Sequence, residues 1–146
     1  FTTEEIYQII NKDKNLSVHL ESFPQIPKNW MNERLYEKWE KFKIIRKVVN
    51  AAMEIKRANK DIGSSLEADI KVYLSDEYLK IVKDFDLSES FITSKAEAKK
   101  MIDDNNLFQL GEIKDVKVMV KKAEGEKCPR CWKIFPDPCV RCGSNA

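Results

Sequence analysis

The 146-residue sequence predicts an α+β protein. It should contain a long amphipathic helix from the end of a helical bundle, then a small mixed α/β unit, then a C-terminal four-cysteine knuckle or ribbon. Three observations lead there. Apolar residues recur at steps of three and four from Met31 to Ile55, two later stretches alternate apolar and polar residues, and all four cysteines fall within the last 19 positions. The expected divisions are residues 1–62, 63–124 and 125–146.

Taken in order, Thr2 to Ile10 reads as a short helix, with a threonine cap ahead of Glu4 and Glu5, acids that the helix dipole favours in a first turn. A polar stretch and the segment Ser17–Pro24 follow. Pro24 and Pro27 make this an extended connector. The long helix comes next, about thirty residues, with Met31, Leu35, Trp39, Phe42, Ile45, Val49, Ala52 and Ile55 on one face. Asn29 or Asn32 is expected to cap its start and Gly63 to close its end. Leu35, Trp39 and Phe42 are expected to stay partly exposed where other bundle helices would cover them. Ile70–Leu74 alternates like a half-buried strand and Asp76–Phe85 suits a short helix. Phe91–Thr93 is expected to be a second strand, Lys95–Asp103 an Ala/Lys-rich helix, and Ile113–Lys121 a third strand with Val116, Val118 and Val120 on one face.

The tail reads Cys128-Pro-Arg-Cys131, seven residues, then Cys139-Val-Arg-Cys142-Gly143. A two-residue gap lets both thiolates of a knuckle point inward, and two knuckles supply four soft ligands in a tetrahedron, which suits one structural Zn²⁺. Lys127, Arg130, Lys133 and Arg141 partly offset the charge of such a centre, and Gly143 supplies the backbone freedom the second turn needs. Two other readings of the same cysteines are a single-iron centre, whose knuckles are usually further apart, and two disulfides, which are strained within C-x2-C. A closed four-cysteine site leaves no position for water or substrate, so its role is structural. Trp132 follows the second cysteine among cations. It either stacks on an unpaired base or packs over the knuckle against Phe135.

Composition narrows the remaining classes. Hydrophobic content of 42% and charged content of 34% describe a folded, soluble chain with a heavily charged surface. No apolar run approaches the roughly 20 residues that cross a bilayer, and the first ten residues lack the basic start of a signal peptide. The chain begins with Phe1, as a piece of a longer protein would. Net charge is +2, but residues 28–60 carry +6 and 121–146 carry +3, flanking an acidic 61–120 at −5. Two basic segments fit a polyanion held at two places, or two solvated faces. The lone histidine, His19, lies in the connector and reads as a turn residue. The four glycines are scattered and form no phosphate loop.

Four segments resemble a known family. Phe1-Thr-Thr-Glu-Glu-Ile-Tyr7 resembles the F-T-A-E-E-I-W helix of class I synthetases for branched-chain amino acids, and Ser17-Val-His-Leu20 with Pro24 resembles the connector after it. Lys60-Asp-Ile-Gly-Ser-Ser-Leu-Glu-Ala68 resembles the K-x-I-G-S-S-L-E-A segment of bacterial isoleucyl-tRNA synthetases, and Glu126-Lys-Cys-Pro-Arg-Cys-Trp132 resembles their C-terminal zinc knuckle. The resemblance runs through nearly the whole chain. It implies the end of an anticodon-binding helical domain, a small α+β junction and a zinc finger near the anticodon of isoleucine tRNA, in a monomeric cytoplasmic ligase. The family's nucleotide motifs, H-I-G-H and K-M-S-K-S, do not occur here, so ATP and Mg²⁺ would belong to a catalytic domain elsewhere and this segment would carry no catalytic residue. The seven-residue spacer is shorter than the family's, which leaves out the loop a longer spacer would build. For tRNA contact the reading selects Lys41, Arg46, Lys56 and Arg57 along the helix as phosphate partners, and Arg130, Trp132, Lys133 and Arg141 on the knuckle. An adaptor for protein or DNA, with a finger resembling that of formamidopyrimidine-type DNA glycosylases, is the alternative; the upstream half does not match those enzymes.

Overall fold

A computed structural model describes residues 1–135, 139 and 141–143. They form two compact units, Phe1–Glu33 and Arg34 onward.

In the first unit, α1 (Thr2–Asn11) is followed by the connector. Phe1, not a threonine, occupies the N-cap position, and no side chain caps the helix. Glu4 turns back along the chain instead, where one carboxylate oxygen accepts the Val18 N–H at 2.9 Å and the other accepts from Gln8 at 3.2 Å. Tyr7 donates its hydroxyl to Glu21 at 2.5 Å. Ser17 caps a 3₁₀ turn, Val18–Leu20, which places His19 as the turn residue expected of it. No α1 residue is buried.

The second unit is built on α2 (Glu33–Ala58) and a three-stranded sheet. Asn32 stands directly ahead of α2, as one of the two expected caps. The helix does not end at Gly63. Its last turn closes with Lys60 in the left-handed region (φ 61°), where Lys60 N–H bonds to Arg57 O and Asp61 N–H to Lys56 O, both at 3.0 Å. The buried face is Phe42, Ile45, Val48, Val49, Ala52 and Met53. Leu35 and Trp39 keep 47% and 41% of their surface exposed, whereas Phe42 is buried, against expectation. The reason is local: Phe42 stacks on Phe85 with ring centres 4.4 Å apart, and Trp39 meets Phe85 edge-on at 5.0 Å.

β1 (Ala68–Leu74) is the central strand. β2 (Lys95–Lys100) pairs with it in parallel and β3 (Val116–Lys122) antiparallel. Two short helices, α3 (Asp76–Val82) and α4 (Leu87–Phe91), make the crossover from β1 to β2. Two expectations are overturned here. Phe91–Thr93 is not a strand: it ends α4, with Ile92 left-handed (φ 58°) and Thr93 N–H bonded to Ser88 O at 2.9 Å. Lys95–Lys100 is a strand, not a helix. Ala96 and Ala98 alternate with Lys95, Glu97 and Lys99, and the register sets the alanines beside Ile70 and Val72 on the inner face. Pairing with a buried strand overrides the local helix preference of Ala, Glu and Lys. Ile70, Val72, Leu74, Val116, Val118 and Val120 join the α2 face in one core.

Candidate metal centre and nucleic-acid interface

Beyond β3, a two-stranded hairpin of β4 (Glu126–Lys127) and β5 (Ile134–Phe135) carries the first knuckle. Cys128 N–H donates to Lys133 O at 2.9 Å, closing the hairpin over Cys128 and Cys131. Trp132 N–H donates to Cys128 O at 2.9 Å, and in the second knuckle Gly143 N–H donates to Cys139 O at 2.8 Å. The two turns are equivalent, and in each the residue after the second cysteine is left-handed: Trp132 at φ 63°, Gly143 at φ 68°. Glycine adopts that conformation freely; tryptophan is strained by it.

The four Sγ atoms lie within 4.8 Å of one another. Cys128 Sγ is 3.4 Å from Cys142 Sγ, and Cys131 Sγ is 3.6 Å from Cys139 Sγ. A tetrahedral ion with sulfur ligands at about 2.3 Å sets them about 3.8 Å apart, so this donor set fits such an ion. All four are free thiols, and the close approaches run between knuckles, so no bond joins the two cysteines of either C-x2-C. The backbone N–H of Lys133 is the main influence holding the Cys131 thiol below its usual range, whereas burial pushes Cys139 up to about 11. A cation at the centre would favour all four as thiolates.

The expected RNA contacts fall into two kinds. Trp132 is 62% exposed, with Lys127 Nζ 5.7 Å from its ring centre, and Arg130, two positions earlier in the chain, is exposed as well. Lys133 points the other way. It is 3% exposed, and its ammonium is held by Glu89 Oε1 on α4, while Glu89 Oε2 accepts from Arg141 Nη2 at 3.0 Å. Sequence reasoning missed Glu89 and also Ser94, whose hydroxyl accepts the Ile134 N–H at 2.6 Å and donates to Leu66 O. No spacing rule links residues 28 to 52 positions away, so no sequence signal pointed to either. On α2, Lys41 pairs with Glu77 at 2.6 Å, Lys56 with Asp61 at 2.9 Å, and Arg57 with Glu54. Arg46 is exposed and has no ion-pair partner among the described residues. The spacer positions 136–138 lie outside the described residues. No helix among the described residues is long and apolar enough to cross a membrane.

Residues 1–74 match the family described as the anticodon-binding domain of tRNA ligase. The isoleucine–tRNA ligase of Pelagibacter ubique is 42% identical over 141 residues, covering 97% of this chain and 14% of its own length. Those of Bartonella henselae and Natranaerobius thermophilus are 39% and 34% identical over 94% and 97% of this chain, and 14% and 17% of their own lengths. The chain thus spans 14% to 17% of the length of these relatives.

Proposed function

The chain belongs to the anticodon-binding domain family of tRNA ligases, and from that premise we propose that it is the tRNA-binding C-terminal part of an isoleucine–tRNA ligase. On this reading residues 1–62 end the helical anticodon-binding domain, 63–124 form the junction and 125–146 the zinc finger of a monomeric cytoplasmic enzyme. The observation that carries it is the exposed Trp132 indole, beside the Lys127 ammonium and two positions from exposed Arg130, on a turn bounded by the four clustered cysteines. A flat aromatic surface among cations receives an unstacked anticodon base, a contact worth about 1–3 kcal/mol. Cys128, Cys131, Cys139 and Cys142 would hold one Zn²⁺, which supplies no chemistry and fixes the turn. Arg46 on α2, exposed and unclaimed by an acid among the described residues, suits a phosphate of the anticodon stem. Lys41, Lys56 and Arg57 would join it by exchanging exposed acidic partners for phosphate. Arg141 could do so only by leaving Glu89. ATP and Mg²⁺ would act in the catalytic domain of the whole ligase, which attaches isoleucine to tRNA.

The test is a titration, at fixed salt, of the zinc-loaded protein against isoleucine tRNA and an anticodon-swapped version. The expected result is preference for the cognate anticodon, lost on chelation and on Trp132→Ala. Equal binding to both, unchanged by chelation, would reduce the knuckle to a scaffold.

A further inference from the structure

We infer that Glu89 is a positioning residue for anticodon recognition, locking both cysteine knuckles to α4 so that Trp132 is presented in one orientation. This rests on the reading that the knuckle contacts tRNA.

The geometry is specific. Lys133 and Arg141 belong to different knuckles, two positions after Cys131 and one before Cys142, and both end on the one Glu89 carboxylate. Neither knuckle can turn relative to α4 without breaking an ion pair that also restrains the other. The Lys133 pair is the stiffer half, because its ammonium is buried and water does not replace a lost partner. Glu89 is itself fixed: its N–H is held by Asp86 Oδ1, the α4 N-cap, at 3.0 Å. A second tether, Ile134 N–H to Ser94 Oγ, sits one residue past Lys133.

The strained turn completes the device. At φ 63° the backbone of Trp132 departs from the regular strand, so Lys133 is buried while the adjacent indole stands in solvent. A rotamer pin on one residue thereby aims its neighbour. A metal held by the four cysteines would shape each turn, but the ion pairs on Glu89 set where the two knuckles face relative to α4. A surface held in its bound orientation loses less freedom on association, so loosening the pin should show in tRNA binding before anything else.

The experiment uses the complete ligase carrying this chain, comparing Glu89→Gln with Trp132→Ala. Glu89→Gln preserves shape and an acceptor oxygen but removes the charge. The expected result is a KM for tRNA raised on the order of tenfold, with kcat at saturating tRNA within about twofold and one zinc retained per chain. If Glu89→Gln sheds zinc or fails to fold, Glu89→Gln/Lys133→Met removes the buried cation as well and is judged by the same KM-against-kcat split. Should Trp132→Ala raise KM while neither Glu89 variant does, the clamp is only structural and the inference is overturned. Should Trp132→Ala also leave KM unchanged, the knuckle does not touch tRNA; the underlying reading falls, and this inference with it.

Discussion

Lys60 and Trp132 carry left-handed backbone strain, and Gly143 takes the same conformation without it. Lys60 takes the left-handed position that ends α2, where glycine is the usual occupant, and the Lys56–Asp61 ion pair at 2.9 Å lies where such caps usually make an apolar contact. Lys60→Gly relieves about 1 kcal/mol of strain, offset in part by the freedom glycine has when unfolded. The net expected in a urea titration is a gain of about 0.5 kcal/mol. Gly143 and Trp132 fill matching positions of the two knuckles, so substitutions there should act with opposite sign. A Cβ at Gly143 would meet nothing within 4 Å among the described residues, so Gly143→Ala is expected to add backbone strain. At about 1 kcal/mol this weakens metal affinity about fivefold, measurable by competition with a chromogenic chelator. Trp132→Gly should hold metal at least as tightly as the parent while losing RNA affinity. Weaker metal binding in Trp132→Gly would show that the indole packs for the metal site. The C-x2-C spacing and Gly143 were legible in the sequence. The strain at Trp132 was not, because nothing in a tryptophan's identity announces φ 63°.

At the scale of elements, α4 matters beyond its five residues, since it carries Glu89. Its N-cap, Asp86, accepts the Glu89 N–H and the Ser88 hydroxyl, and these bonds, the backbone one foremost, hold its carboxyl below the usual carboxylate range. A lowered folded pKa means stabilisation that is complete above the unfolded value near 4 and lost as pH falls through the folded value. Asp86→Ala is therefore expected to cost about 1 kcal/mol at neutral pH. The difference from wild type should shrink as pH drops below about 4, as urea midpoints across pH 2.5–7 would reveal. A constant difference across that range would mean the cap does not act through its charge. The long helix and the strands β1 and β3 were readable from periodicity. β2 was misread because Lys95–Lys100 is composed of helix formers. Its two-residue alternation, Ala96 and Ala98 inward, was the signal that composition obscured.

For the whole molecule, the metal module and the hydrophobic core are separate sources of order. The core of α2 and the sheet contains none of the four cysteines. Chelation should therefore release residues 126–135 while β1 and β3 keep their amide protection, a local loss that hydrogen exchange would map. Loss of protection throughout the sheet would mean instead that the module supports the core. Charge behaves similarly at this scale. The +6 segment 28–60 read as one part of a polyanion footprint or as a solvated face, and Lys38, Lys41, Lys43, Lys56 and Arg57 each lie on an acid in the fold. These are exposed pairs of modest strength that phosphate could displace. The sequence by itself determined the α+β class, the long helix, the family and the cluster of four cysteines. Each is written in local spacing, which survives without knowledge of the fold. Only the tertiary structure decided that Lys95–Lys100 is a strand, that Lys133 turns inward, and that Glu89 and Ser94 hold the knuckles. Those outcomes depend on which distant residues meet, and partner choice across 26 to 52 positions is set by the packing of the core, not by any pattern along the chain.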